Sequence, residues 1–305
     1  MGEIVCRHLN ISLSTPHDLK RIHKSNAGPE IVRKLRTCAL ENESRANIRV
    51  LGGILIAIRT VAKDAILGRE IYNQNLYDFV IRCVDIHPED SDFRDLVIQT
   101  LAEFASDDHT FRTEHDFAIK GIPKVAGLIS EYANDELTLN TLLMALHSFM
   151  TKLGSYKSIN EQPLPRQSLQ SLELPRLAKT LVNLLDLPNT SLPLQWDNLE
   201  LISEALTWIA YYQSKAILDL PSKKGILLFI AFINSPSITI RCRGLLGLLN
   251  TYGVDSMPNF RFCDPQRIFR SRGLSPPEAI FALGVVAATH FKEQLADDLI
   301  SEHYY

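Results

Sequence analysis

The sequence predicts an all-α protein of stacked helical repeats, and three observations carry that expectation. Leu, Ile and Val recur at three- and four-residue spacing through Pro29–Ala62, Leu76–Ala105, Gly121–Met150, Leu174–Tyr212 and Gly225–Gly253, with starts roughly 45 to 55 residues apart. The stretches end in a similar way, and the alternating runs that would mark strands are scarce. One helix pair cannot bury its own apolar face, so such units stack.

Each element has a local reason. Thr15-Pro16-His17-Asp18 offers a cap, a proline for the first helical position and an acid for the positive helix end, so a short helix is expected to about Ser25. Beyond the Asn26–Pro29 turn, the chain from Glu30 to Ala62 reads as a short helix and a long one. Its apolar stripe is Ile48, Leu51, Leu55, Ile58 and Ala62. In the second unit, Leu76, Phe79, Val80, Cys83 and Val84 share a face and His87-Pro88 breaks the helix. The pattern resumes at Phe93, Leu96, Val97, Leu101 and Phe104.

The third unit repeats this layout. Gly121-Ile122-Pro123 is expected to open a helix, 133–136 to turn, and Leu139, Leu142, Leu143, Leu146 and Phe149 to continue. Residues 155–171 hold Pro163, Pro165, three Gln and four Ser with little periodicity, which marks a linker. The expected organisation is therefore residues 1–154, a linker or long loop at 155–171, and residues 172–305, arranged as two blocks or as one continuous solenoid. The fourth unit has a long turn at 187–193 before a Trp196–Tyr212 helix. The fifth turns at Asn234–Ser237, and a capping box at Ser275–Glu278 opens a last helix through Leu299.

The net charge of −3 is unevenly spread. Residues 1–70 carry 12 basic and 7 acidic residues, whereas residues 71–140 carry 5 and 14. An acidic segment of −9 predicts a basic partner, and general nucleic-acid affinity is not favoured. Cysteines at 6, 38, 83, 242 and 263 are too dispersed for a disulfide framework, so a reducing intracellular compartment, cytoplasmic or nuclear, is expected. The start of the chain does not read as a secretion signal, and no apolar run reaches the roughly 20 residues that cross a bilayer.

Gly121-Ile-Pro-Lys-Val-Ala-Gly-Leu-Ile with Ala145-Leu-His-Ser-Phe149, and Ser235-Pro-Ser-Ile-Thr-Ile-Arg-Cys-Arg-Gly-Leu-Leu, resemble armadillo or HEAT-like repeats over about residues 29–253. That resemblance implies a right-handed α-solenoid that binds partners along an extended surface. Nuclear-import receptors of the armadillo type carry an asparagine ladder on the last helix of each repeat. The matching positions here are Ala57, Glu103, Ser148, Trp208 and Leu248, so the ladder is absent. The 227–244 stretch with Gly273–Glu278 also resembles the helical region of fungal proteins bearing a MYND-type zinc finger. The dense Cys/His cluster of that finger is missing, and zinc is not implied.

The remaining motifs give little chemistry. Asp107-Asp108-His109 with Glu114-His115-Asp116 could ligate a metal, but the segment reads better as a solvated turn between units. His17 and His23 lie among cations on a basic helix face. Arg241 and Arg243 could make an anion site at a helix start but are expected to brace the inter-helix turn, and Cys242 has no histidine nearby to activate it. The two Leu-x-x-Leu-Leu strings, Leu181–Leu185 and Leu245–Leu249, should be core. Phosphate loops, nucleophile elbows and zinc helices are not found.

The expected function is thus a non-enzymatic scaffold binding another protein, without metal or cofactor. Glu103, Ser148, Trp208, Tyr211 and Tyr212 are the candidate partner-binding residues. The alternative is a nucleic-acid-associated repeat protein using the basic N-terminal face. A metal-dependent enzyme around His109 and His115 comes third.

Overall fold

Side-chain caps set several helix starts. Asn47 Oδ1 accepts the Val50 amide at 3.3 Å, Asp64 Oδ1 accepts those of Ile66 and Leu67 at 3.1 and 3.0 Å, and Asp90 Oδ1 accepts that of Phe93 at 2.8 Å. The computed structural model describes residues 27–43, 45, 47–106, 113–160, 170–185 and 196–252. Every regular element among them is helical, as the periodicity predicted. The chain divides into two compact units, Met1–Pro163 and Leu164–Tyr305. None of the described helices is long and apolar enough to cross a membrane.

The first unit holds α1 (Gly28–Glu43), α2 (Ile48–Ala62), α3 (Ala65–Asn73), α4 (Leu76–Cys83), α5 (Ser91–Ser106), α6 (Thr113–Glu131) and α7 (Glu136–Asn160). The longer helices α2, α5 and α7 pack in succession, and the shorter α4 joins both α5 and α6, which in turn packs on α7. Their starts, at 48, 91 and 136, are 43 and 45 residues apart. Asn75 (φ 53°) and His87 (φ 52°) adopt the left-handed backbone on either side of α4. Tyr72 of α3 meets Phe104 of α5 and Phe117 of α6 edge-on at 6.1 Å each, and Phe117 meets Phe149 of α7 at 4.9 Å. All four rings are buried, each contributing about 1.5–3 kcal/mol.

Three expectations are corrected here. The chain after Ala62 was given no helix, yet α3 forms, because the Asp64 cap starts it and Leu67, Ile71 and Tyr72 bury one face. Gly121-Ile122-Pro123 does not open a helix; α6 begins at Thr113 and runs through Pro123. Gly121 serves packing instead, since a Cβ there would lie 2.7 Å from the Phe149 ring. Accordingly the backbone of residue 115 is helical and not part of a turn. The predicted linker also starts late, for α7 continues to Asn160.

Opposite charges one repeat apart find each other. Arg59 of α2 pairs with Glu103 of α5, Arg82 of α4 with Glu43 of α1, Lys120 and Lys124 of α6 with Asp78 and Asp85, and Arg94 of α5 with Glu131. The partners are 37 to 44 residues apart in sequence. The Glu103 carboxyl is held below its ordinary value by the Arg59 hydrogen bond.

The second unit holds α8 (Leu174–Leu185), α9 (Trp196–Tyr212), α10 (Lys215–Leu218), a 3-10 turn at Pro221–Lys223, α11 (Lys224–Ile233) and α12 (Ile238–Tyr252). Helix α12 packs on both α9 and α11. Gly244 allows α12 to approach the α11 backbone, since a Cβ would stand 2.6 Å from Phe229 O, and Gly247 admits the Phe229 ring. Leu181 and Leu184 of the first Leu-x-x-Leu-Leu string and Leu245, Leu246 and Leu248 of the second are buried, while Leu185 is half-buried. The N-terminal helix, the 187–193 turn and the Ser275–Leu299 helix fall outside the described residues.

Candidate functional site

The five sequence-selected partner residues do not occupy equivalent places. Glu103 lies late in α5 and its carboxylate is taken by Arg59; Ser148 is half-buried on α7. Trp208, Tyr211 and Tyr212 come together at the end of α9, because a helix puts residues three and four apart on one face. The Trp208 ring stacks on Tyr212 at 5.7 Å and 15°, and Tyr211 meets Tyr212 edge-on at 5.1 Å. Of the asparagine-ladder positions, Ala57, Trp208 and Leu248 are buried, while Glu103 and Ser148 are partly exposed. They do not form one exposed row.

Beside the aromatic cluster lies a cavity of about 250 Å³ lined by Ala210, Tyr211, Tyr212, Gln213, Ser214, Lys215 and Asn250. The last turn of α9 supplies the tyrosines, and the tight step from α9 to α10 supplies Gln213 to Lys215. Asn250 arrives from the last turn of α12. Its Nδ2 donates to Thr207 O of α9 at 3.4 Å, and its Oδ1 is buried with no hydrogen-bond donor. The Trp208 indole N–H is likewise buried without an acceptor. Such groups are uncommon in folded proteins and mark places where a ligand or water completes the bonding.

A polar seam holds this arrangement in register. Arg243 of α12 pairs with Glu204 of α9 and donates through Nη1 to Glu200 O at 2.6 Å. Thr207 Oγ1 donates to Ser203 O or to Arg243 O, at 2.7 and 3.1 Å, and Ser237 Oγ donates to the Glu200 carboxylate at 2.9 Å. Arg243 therefore joins α12 to α9 within the second unit, whereas the sequence predicted that it would brace the turn between helices. Asn250 was missed, since nothing near it in sequence distinguishes a buried asparagine beside a cavity from a solvated one.

The structure offers no support for cysteine nucleophiles among the described residues. Burial pushes the Cys83 thiol up to about 12 and the Cys242 thiol up to about 11, far from thiolate at neutral pH. His109 lies outside the described residues, so the proposed pairing with His115 is not placed. Among the described residues no group of three His, Cys, Asp or Glu is assembled for a metal.

The fold and site define an all-α protein of repeated helix pairs with an aromatic-rimmed polar cavity in its second unit. No family model matches the chain, and no curated protein matches it either. Its fold is similar to that of an engineered protein from the Northeast Structural Genomics Consortium, at 15% identity and a TM-score of 0.52, over 82% of this chain and 89% of that one. A second engineered protein from the same consortium aligns at 14% identity over 94% of this chain and 80% of the other, with a TM-score of 0.33. The first likeness is one of fold alone.

Proposed function

We propose that the chain is an α-solenoid of armadillo/HEAT type whose work is to bind another protein at the α9–α12 edge of its second unit. The observation that carries this reading is the cluster of Trp208, Tyr211 and Tyr212 beside a cavity of about 250 Å³ that the two tyrosines line. Aromatic side chains at a concave site are what protein interfaces use as anchors. The solenoid reading is supported by pairing between residues one repeat apart in both units.

The charge pattern does not decide between this edge and the acidic segment. The −9 already includes Arg82, Arg94, Lys120 and Lys124, so of the cations paired in the first unit only Arg59 offsets it from outside the segment. The nucleic-acid alternative loses Arg59 to Glu103 of the acidic segment, while Arg33 and Lys34 pair with Glu30 of their own helix.

The test is capture with a photo-crosslinking residue in place of Gln213, which lines the same cavity, followed by binding of the captured protein to purified chain. Tyr211→Ala should weaken that binding at least about tenfold, as loss of an aromatic anchor does. Crosslinking to nucleic acid, or full binding by a folded Tyr211→Ala variant, would overturn the reading.

A further inference from the structure

We infer that copies of this chain meet head to tail, the outer side of α1 in one copy against the α5 and α7 side of the next. The starting point is the charge that remains once the ion pairs inside the first unit have formed. On α1, Glu30 answers Arg33 and Lys34 with one charge against two, and Arg36 is exposed with no ion pair among the described residues. Arg45, in the turn after α1, is likewise exposed and without an ion pair there. Of the acids, Glu43 is taken by Arg82 and only Glu41 remains, so the patch is basic.

The opposite surplus stands on α5 and α7. Asp92 and Asp95 are exposed and Glu136 is half-buried, and none of the three has an ion pair among the described residues. The described cations of these helices are engaged, Arg94 by Glu131 and Lys152 by Phe104 O at 3.4 Å. Each patch also carries apolar side chains that its own chain leaves in water. Leu40, one turn beyond Arg36, is 46% exposed, and Leu137 and Met144, on one side of α7, are 80% and 55% exposed. Helices α5 and α7 pack together with starts 45 residues apart, so Asp92 and Leu137 hold equivalent places, as do Gln99 and Met144. The acids therefore lie beside the apolar pair. A surface that answers both brings an apolar group flanked by cations, which is what α1 presents. Within one chain α1 packs on α2, α3 and α4, whereas the acids stand on α5 and α7, so the two patches do not cover each other. The complement of each is present in every other copy.

Such a contact is heterologous: each copy offers one patch to the copy before it and the other to the copy after, so growth does not stop at two. One helix side against two is a small interface, and the expected Kd is on the order of 100 μM. Sedimentation of the full chain from roughly 10 to 500 μM is the experiment. The weight-average mass should climb past that of a dimer at about 50 mM salt and fall back towards the monomer at about 500 mM. Leu40→Asn and Leu137→Asn, both at exposed positions, should each stay monomeric. Mixed in equal amounts they should give a species that stops at the dimer, because each variant keeps the patch that the other has lost. Tyr211→Ala should associate as wild type does, which separates this contact from the partner site on α9.

A wild-type mass that stays monomeric throughout would overturn the inference, as would assembly that stops at a dimer, the mark of a symmetric contact. Association that persists in either leucine variant, that is lost in Tyr211→Ala, or that is indifferent to salt would overturn it too. So would a mixture of the two leucine variants that remains monomeric.

Discussion

Arg243 on α12 reaches Glu204 on α9, and the pair is nearly sealed from water, with side chains 11% and 7% exposed. A second bond from Arg243 to Glu200 O at 2.6 Å fixes the guanidinium between the two helices. Because the partner charges are desolvated together, removing one strands the other. We expect Arg243→Met to cost about 3–5 kcal/mol, whereas the double change Arg243→Met with Glu204→Leu should recover much of that loss. Urea unfolding of wild type and the two variants is the measurement. Equal costs for the single and double changes would show that the pair is not the stabilising feature.

Gly247 faces the buried Phe229 ring, and a Cβ would overlap it. In a helix interior Gly→Ala ordinarily gains up to about 1 kcal/mol, so the sign of this variant separates propensity from packing. Overpacking should win. Gly247→Ala is expected to destabilise the second unit by about 1–3 kcal/mol, and Phe229→Leu in the same chain should relieve part of it. Thermal melts decide between the two signs.

The Arg59–Glu103 pair should show itself in the pH dependence of stability. The Arg59 hydrogen bond depresses the Glu103 carboxyl below the ordinary 4.5, so the pairing stabilises above that value and is lost as pH falls through the depressed one. Glu103 is 40% exposed, so solvent screening keeps the effect small. Glu103→Gln should cost under about 1 kcal/mol at pH 7, and wild type and variant should converge in acid. A difference that grew on acidification would contradict this.

Cysteine reactivity tests the packing of two helices at once. Cys83 and Cys242 are buried with thiols raised by desolvation, whereas Cys38 is half-buried. Peptide-mapped alkylation at pH 8 should label Cys38 well before the other two, which should react only on unfolding. Early labelling of Cys83 would mean that α4 opens locally.

What the sequence determined by itself is the class of the fold and many of its breaks. Leu139, Leu142, Leu143 and Leu146 recur at the helical period, and His87-Pro88 and Asn234–Ser237 stop helices by local chemistry, so these features are legible without any partner. The helix Trp196–Tyr212 was read at both ends, and the aromatic half of the candidate site with it.

Only the tertiary structure decided the rest. The acidic and basic segments look like two surfaces until Arg59 is set against Glu103 and Glu43 against Arg82. Gly121 reads as a helix opener until Phe149 is placed on it, and Asn250 is ordinary until Thr207 O fixes which way its amide points. The physical reason is common to all three. Periodicity and capping act over one or two turns of chain, whereas the role of a charge, a glycine or an amide is set by the atom that faces it, here about a repeat away in sequence.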